Sequence, residues 1–546
     1  MTLASRFLAR LLTFPPADTH DVLVERDVEV PMPDGVKLLA DRYYPRQGGK
    51  LPTILVRSPY GRRGFFGLQY GRVFAERGFQ VLVQSVRGTF GSGGQLDPFR
   101  NERDDGLATV EWMKQQPWFS GEFAMHGPSY LGLVQWAVAR EAGSGLKALV
   151  AHETASEFQS QTYAGGAYSL DTTLSWVHLV RTQEKKGLGG LMARLGATRQ
   201  LKPLFQHLPL NEVDALATGE RVPFFQDWLE HSAPDDPWWD RANFSGALSE
   251  VTAPVHLIGG WYDIFLPWQV KDYAALHKAG RAPYLTIGPW THVSVEGMAV
   301  AARESLIWLK AHLQGDRSHL REAPVRVFVM GANTWRDFSE WPPPGIQTQR
   351  WHLQTDRGLS PATPAASGPS RYRYDPANPT PSLGGALLTK EAGPRDNREL
   401  ESRPDVLTYT SAPLEKDLEV IGPVQAELFV RSSLPHTDFF ARLCDVEPSG
   451  KSVNICDGLL RLIPGKPAAE PDGTLRITID LWPTAHRFLV GHRIRLQVSS
   501  GAHPRFARNP GTGEPLGTAK TLAAADQAVF HDPSHPSALL LPVMPG

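Results

Sequence analysis

The chain has 546 residues, 41% of them hydrophobic and 21% charged, a composition of the folded, soluble type and a length that calls for two or three domains. Its 56 Lys and Arg stand against 57 Asp and Glu, which excludes the one-signed field that gathers nucleic acid or an anionic membrane, and no apolar run approaches the ~20 residues of a membrane span. A small-molecule substrate is therefore expected, with no nucleic-acid or membrane partner; a homo-oligomer stays open.

Met1 to Phe14 carries Arg6 and Arg10 among apolar residues, and Arg10 interrupts what would be a signal-peptide core, so the segment reads as an amphipathic helix on the protein's own surface. Asp27 to Tyr44 reads as strand, turn, strand, with Asp34-Gly35 supplying the positive φ of a tight turn. Short apolar runs follow at Thr53–Val56, Gln80–Val83, Glu122–Met125, Leu146–Ala151, Val255–Ile258 and Tyr284–Ile287, the pattern of strands buried on both faces of a covered parallel sheet. Between them, helical stretches at Phe66–Arg77 and Asp104–Gln116 stop at Gly78 and before Pro117. The alternation predicts an α/β fold with a doubly wound sheet over residues 1–150 and 245–322. A last helix, Ala301–Leu313, places Leu306, Leu309 and Leu313 on one face.

The stretch 151–244 breaks this rhythm, with helical segments such as Ser169–Thr182 and Leu191–Leu201 but no clear strand, and reads as a helical cap inserted over the strand ends. From 323 to 546 the period becomes two. Leu475, Ile477, Ile479 and Leu481 alternate with Arg476, Thr478 and Asp480, and Ile494, Leu496 and Val498 alternate with Arg493, Arg495 and Gln497, one face buried and one wet. With Val424–Val430, Phe439–Val446 and Val453–Leu462 this part reads as an all-β sandwich, a jelly roll. Cys444 and Cys456 are the two cysteines of the chain; they read as reduced core thiols of a cytoplasmic protein rather than as a bridge across a hairpin.

The run Glu122–Met125 leads into His126-Gly127-Pro128-Ser129-Tyr130-Leu131-Gly132 and then into the helical stretch Val134–Arg140. A serine on a sharp strand-to-helix turn is held in a strained geometry with its hydroxyl above the sheet, and small neighbours let strand and helix approach. The motif is Gly-x-Ser-x-x-Gly, with Leu131 where the commoner form has its second glycine. Alone it also describes a Gly-Pro-Ser turn with a capping serine; the flanking strand and helix favour the nucleophile. A serine hydroxyl needs a base, and in this fold Asp and then His follow the Ser, each just after a strand. Val255–Ile258 leads into Gly259-Gly260-Trp261-Tyr262-Asp263, and Tyr284–Ile287 into Gly288-Pro289-Trp290-Thr291-His292. Among the 18 histidines, His152, His178, His207, His231 and His277 lack the expected order or a preceding strand, and His256 lies inside its strand. Asp263 also reads as a helix cap, and its order relative to His292 favours the triad.

With Pro31-Met32-Pro33-Asp34-Gly35, Arg57-Ser58-Pro59-Tyr60-Gly61, Val86-Arg87-Gly88, Tyr409-Thr410-Ser411, Thr437-Asp438-Phe439 and Pro504-Arg505-Phe506-Ala507-Arg508-Asn509, these motifs make nearly the whole chain resemble the cocaine esterase-like hydrolases, relatives of X-prolyl dipeptidyl peptidases, α-amino-acid ester hydrolases and cephalosporin acylases. The resemblance implies an α/β-hydrolase domain with an inserted helical cap and a C-terminal jelly roll. It also implies Ser129 as nucleophile, His292 as base, Asp263 as the group orienting His292, and Tyr60 and Tyr130 as the oxyanion hole. The amide N–H after an elbow serine and a phenol hydroxyl are suitable donors there; from the residues alone Tyr60 reads as a Pro-Tyr-Gly turn. Two departures stand out. Ser85 replaces the usual Asp before Val-Arg-Gly, where a salt bridge to Arg87 is expected, and His126 precedes the elbow glycine where an apolar residue is expected; His126 reads as a hydrogen-bonded core histidine.

Relatives that recognise a free amino group resemble one another in carrying acidic residues just after the triad aspartate, whereas Asp263 is followed by Ile264-Phe265-Leu266-Pro267-Trp268. The expected reaction is therefore hydrolysis of an ester with a neutral or aromatic acyl group, without metal or cofactor. Trp176, Trp261, Phe265 and Trp268 are candidate pocket residues, each equally readable as core, and Asp171 or Glu157 of the cap could add a carboxylate. An amidase, acylase or dipeptidyl peptidase shares the same triad. A non-catalytic binding protein using the jelly roll is the reading of another class, and the complete Ser129, Asp263, His292 set argues against it.

Overall fold

The computed structural model describes residues 2–185 and 199–545. Ten strands build the first sheet: β1 (Val22–Pro31), β2 (Lys37–Pro45), β3 (Thr53–Ser58), β4 (Gln80–Ser85), β5 (Phe123–Pro128), β6 (Leu146–His152), β7 (Val255–Tyr262), β8 (Tyr284–Thr291), β9 (Val325–Val329) and β10 (Thr334–Phe338). They lie in the order β1-β2-β4-β3-β5-β6-β7-β8-β9-β10, parallel from β4 to β9 and antiparallel at both flanks. The apolar runs of the sequence fall on β3 to β8, and β3, β4 and β7 are buried along their whole length. Helices Glu102–Lys114, Tyr130–Ala139, Leu266–Lys278 and Val295–Leu313 connect the strands. The last of these begins at Val295 rather than Ala301, because the Ser294 hydroxyl accepts from Gly297 N–H at 3.1 Å and caps the first turn.

The sheet runs past the boundary the sequence places at residue 323. β9 pairs with β8 from Leu285–Val325 to Ile287–Val327, and β10 folds back on β9. Val325, Val327 and Val329 are buried in alternation, so this edge hairpin has the same period as the later strands and period alone does not say which sheet it joins.

Beyond it lie antiparallel sheets of eight and four strands. Leu418–Ser432 is central to the larger, pairing with Leu475–Phe488, Ala525–Asp532 and Ala538–Val543. In the smaller, Arg493–Ser499 lies between Leu407–Thr410 and Asp438–Val446. The wet face expected for Arg493–Ser499 is largely covered: Gln497 is buried and donates to Glu401 at 2.8 Å. The helical turn Arg398–Glu401 packs there, an element without a periodic signal. Cys444 and Cys456 are free and buried; Cys456 faces Leu443 and Cys444 faces Asn454, so the cysteines are not cross-strand partners.

Between β6 and β7 the chain forms the cap, including helix Leu170–Thr182. The expected segment Leu191–Leu201 lies for the most part outside the described residues. The β-sandwich holds the cap through Asp171 N–H to the Pro504 carbonyl at 2.9 Å and Ala507 N–H to the Tyr168 carbonyl at 2.8 Å. It also holds β7, where the Tyr262 hydroxyl donates to the Asn454 carbonyl at 3.1 Å. The N-terminal helix Leu3–Leu11 sets Leu8, with Leu12 just beyond its end, against Val73 and Ala302. Among the described residues no helix is long and apolar enough to cross a membrane.

Candidate active site

Ser129 follows β5 directly, at φ 55° and ψ −123°. A residue with a Cβ occupies this region only when its surroundings force it, and here the flanking strand and helix do so. The Ser129 N–H donates to the His152 carbonyl at 2.9 Å, and its own carbonyl accepts from Thr154 Oγ1 at 2.8 Å. Gly132 lets the elbow helix sit on Thr154: a Cβ at position 132 would come within 2.4 Å of Thr154 Cγ2. Gly132→Val is accordingly expected to destabilise the protein by about 2 kcal/mol through overpacking, read as a fall in melting temperature together with activity. Unchanged melting would show that the elbow yields.

Asp263 follows β7 and His292 follows β8. His292 donates from Nδ1 to Asp263 Oδ2 at 2.6 Å, while Asp263 Oδ1 accepts from Phe265 N–H at 2.7 Å. The buried carboxylate is thus fixed by its own loop, and His292 Nε2 is left for Ser129 in the cavity that both residues line. A fourth polar residue completes the row: Glu153, directly after β6, faces the same cavity. Burial, with the adjacent Asp263 charge as a lesser cause, pushes its carboxyl well above the usual carboxylate range. Sequence reasoning missed Glu153. Its signal was its place after the run Leu146–Ala151, matching the places of Asp263 and His292.

Tyr60 and Tyr130 are both beside Ser129, in different ways. The Tyr60 hydroxyl accepts from Trp176 Nε1 at 3.0 Å and is hydrogen-bonded with Ser129. Burial raises its pKa, so it keeps its proton. The Tyr130 hydroxyl is turned away, donating to Glu102 at 2.5 Å, with Glu102 paired to Arg57 at 2.7 Å. What Tyr130 offers the site is its backbone N–H at the start of the elbow helix.

The cavity has a volume of about 1130 Å³ and is walled by Trp176, Phe265, Ile264, Phe158 and Trp228. Of the four candidate pocket aromatics, Trp176 and Phe265 are on this wall, the Phe265 ring 5.6 Å from that of His292. Trp261 and Trp268 are not. Trp261 donates to the Phe328 carbonyl of β9 at 2.7 Å and packs on Trp341 after β10, and Trp268 packs edge-on to Trp482 of the β-sandwich; strand and helix direction turn both away from the cavity. The cap carboxylates Asp171 and Glu157 do not reach the wall either: Asp171 lies near Leu388 N–H and Arg505, with burial raising its pKa to about 6, and Glu157 accepts from Ser160.

His126 lines the cavity and is buried, yet neither ring nitrogen has a hydrogen-bond partner among the described residues, contrary to the hydrogen-bonded core role expected. Its ring lies 4.3 Å from that of Phe74, and burial holds its pKa well below the usual value, in the neutral form. The missing aspartate at position 85 is replaced: Arg87 makes a bidentate pair with Asp105 at 3.0 and 2.6 Å and a further bond to Asp34 at 2.7 Å.

A serine raised on a positive-φ elbow at the carboxyl edge of a parallel sheet, with a carboxylate-bound histidine two strands beyond β6, defines a serine hydrolase of the α/β-hydrolase class. The family description X-Pro dipeptidyl-peptidase (S15 family) matches residues 34–294, and X-Pro dipeptidyl-peptidase C-terminal non-catalytic domain matches residues 318–540. Cocaine esterase of Rhodococcus sp. (strain MB1 Bresler) is 32% identical over 95% of this chain and 98% of its own. A putative serine esterase of Mycobacterium bovis is 25% identical over 94% of each chain. Among solved structures, an α-amino acid ester hydrolase superposes with a TM-score of 0.79 at 23% identity, covering 97% of this chain and 98% of the other. The chain belongs to the cocaine esterase-like members of the X-Pro dipeptidyl-peptidase (S15) family.

Proposed function

We propose that this chain hydrolyses carboxylic esters of neutral, apolar acyl groups through an acyl-enzyme on Ser129. The observation that carries the reading is one cavity lined by Ser129 at its strained elbow and by His292, whose Nδ1 is bound to Asp263 at 2.6 Å. In this reading His292 takes the Ser129 proton as the hydroxyl attacks the ester carbonyl, Asp263 holds the imidazolium that forms, and the Tyr60 hydroxyl and Tyr130 N–H receive the oxyanion. His292 then returns the proton to the leaving alcohol. Water activated by the same nitrogen releases the acid. The similarity to the Rhodococcus cocaine esterase, an ester hydrolase by name, supports ester over amide.

The apolar wall of Ile264, Phe265, Trp176 and Phe158 supports the acyl preference. Glu153 tempers it, since it is a carboxyl in the cavity where the loop after Asp263 supplies none. It holds a proton, however, and an entering ammonium would have to displace that proton against the Asp263 charge. A phenylacetate ester is therefore expected to exceed the matching phenylglycine ester by roughly tenfold or more in kcat/KM, one factor of ten corresponding to ~1.4 kcal/mol of desolvation left uncompensated. Preference for the amino ester at a pH where its amine is charged would reverse the assignment of acyl class.

A further inference from the structure

Four consecutive neighbours in the sheet, β5, β6, β7 and β8, end one residue before Ser129, Glu153, Asp263 and His292 respectively. Three of these carry the reaction proposed above, and Glu153 has no part in it. Its placement is nevertheless as constrained as theirs. Its backbone is held at φ 42°, and its N–H donates to the Ile258 carbonyl of β7 at 2.7 Å, a left-handed conformation that a residue with a Cβ adopts at a cost of about 1–2 kcal/mol. That geometry aims the side chain along the carboxyl edge. One carboxyl oxygen each of Glu153 and Asp263 and one ring nitrogen of His292 lie within 4.8 Å of one another. The Glu153 carboxyl makes no hydrogen bond among the described residues.

Resting on the roles of Ser129 and His292 stated above, we propose that Glu153 is a second acid of the relay, a positioning residue that acts through His292 alongside Asp263. Two carboxyls in so small a volume repel when both are charged, so one of them holds a proton. Asp263 is the charged one: it is bound to His292 and to Phe265 N–H, while Glu153 has neither contact. The other groups facing Glu153 do not offset this. Tyr70, on the helical turn Gly67–Arg72, is a buried phenol whose own pKa is pushed up by burial and by Glu153, and Tyr60 is protonated. The guanidinium groups of Arg62 and Arg63 at the cavity wall are engaged by Asp27 and Asp41.

The consequence is a reserve of negative charge. Glu153 releases its proton to water at alkaline pH, and more readily once the Asp263 charge that opposes its ionisation has been removed; its carboxylate then stabilises the imidazolium that forms as His292 takes the Ser129 proton. Neutral Glu153 has no such effect. The sign is therefore fixed: turnover rises as Glu153 ionises.

The test measures kcat and kcat/KM on a phenylacetate ester and the matching phenylglycine ester from about pH 6 to 10 for the wild type, Glu153→Gln, Asp263→Ala and the double variant, with melting curves for each. Glu153→Gln alone is expected to abolish a second, alkaline rise in the profile, so that kcat falls about fivefold below the wild type on that limb. Loss of a triad acid with nothing behind it costs about 10⁴-fold. Asp263→Ala is expected to lose only about a hundredfold, and adding Glu153→Gln to it a further hundredfold or so. Equal factors for Glu153→Gln in both backgrounds would overturn the proposal, as would a loss confined to esters carrying a charged amine, which would make Glu153 a substrate counter-ion. If Asp263→Ala does not fold, the pH profile of Glu153→Gln alone decides, and an unchanged alkaline limb is the negative result. Inactivity of the wild type on every ester would instead refute the ester reading on which this rests.

Discussion

Ser129→Ala is expected to lower turnover by about a millionfold, the loss seen when the nucleophile of a comparable triad is removed. In the proposed reaction the Ser129 hydroxyl is the nucleophile, delivered to the cavity by a strained elbow, and its removal leaves His292 with only water to activate. The residual rate would reflect substrate held near the Tyr60 hydroxyl and the Tyr130 N–H, which still stabilise an oxyanion formed by water attack. The fold should survive, because the bonds fixing the elbow are made by the Ser129 backbone, to His152 and Thr154. A variant retaining a tenth of the activity would sink the assignment. Labelling by a fluorophosphonate, expected at Ser129 in the wild type and absent in the variant, checks the same point without a substrate.

Tyr60→Phe should lower kcat by roughly a hundredfold to a thousandfold and leave KM nearly unchanged. The argument is one of hydrogen-bond direction. The Tyr60 oxygen already accepts from Trp176 Nε1 at 3.0 Å, so its single proton is free to point toward Ser129 and the carbonyl oxygen that becomes negative beside it. Burial raises its pKa, so the proton is present across the working range. A donor fixed in this way, in a largely apolar cavity, acts where charge develops and contributes little to the ground state. Trp176→Phe would release the hydroxyl to rotate and should cost less than Tyr60→Phe. Normal turnover in Tyr60→Phe would return Tyr60 to the part of a turn residue.

The strands of the hydrolase sheet and the Ser129 elbow were legible because their signals are local: apolar runs of strand length, a glycine-flanked serine, and Asp263 and His292 after strands in the expected order. What escaped were properties set by neighbours distant in the chain. Trp261 and Trp268 stand beside the triad aspartate in sequence, but strand alternation and helix phase turn them to Trp341 and Trp482. Arg87 loses a neighbour at Ser85 and finds Asp105 on a helix instead. Gln497 alternates as a wet-face residue should, yet is covered by a helical turn almost a hundred residues earlier. Glu153 is a carboxylate after an apolar run, an ordinary sight in any sequence, and becomes notable only when β6 is placed between β5 and β7. Family resemblance added Tyr60, whose turn-like sequence says nothing of the Trp176 bond that aims it.

The bonds tying the β-sandwich to the catalytic half bear on how the molecule comes apart. Tyr262, the residue before Asp263, is held by Asn454, Trp268 on the next helix leans on Trp482, and the cap is held through Pro504 and Ala507. Met330, after β9, exchanges backbone bonds with the sandwich at Ala485 and Arg487. A polypeptide cut after β10 would leave the triad aspartate on a loosened loop and the cap without its far support, so the catalytic half is not a portable enzyme. On heating, both halves should therefore be lost in one calorimetric transition, with esterase activity vanishing at the same temperature as the sandwich rather than below it.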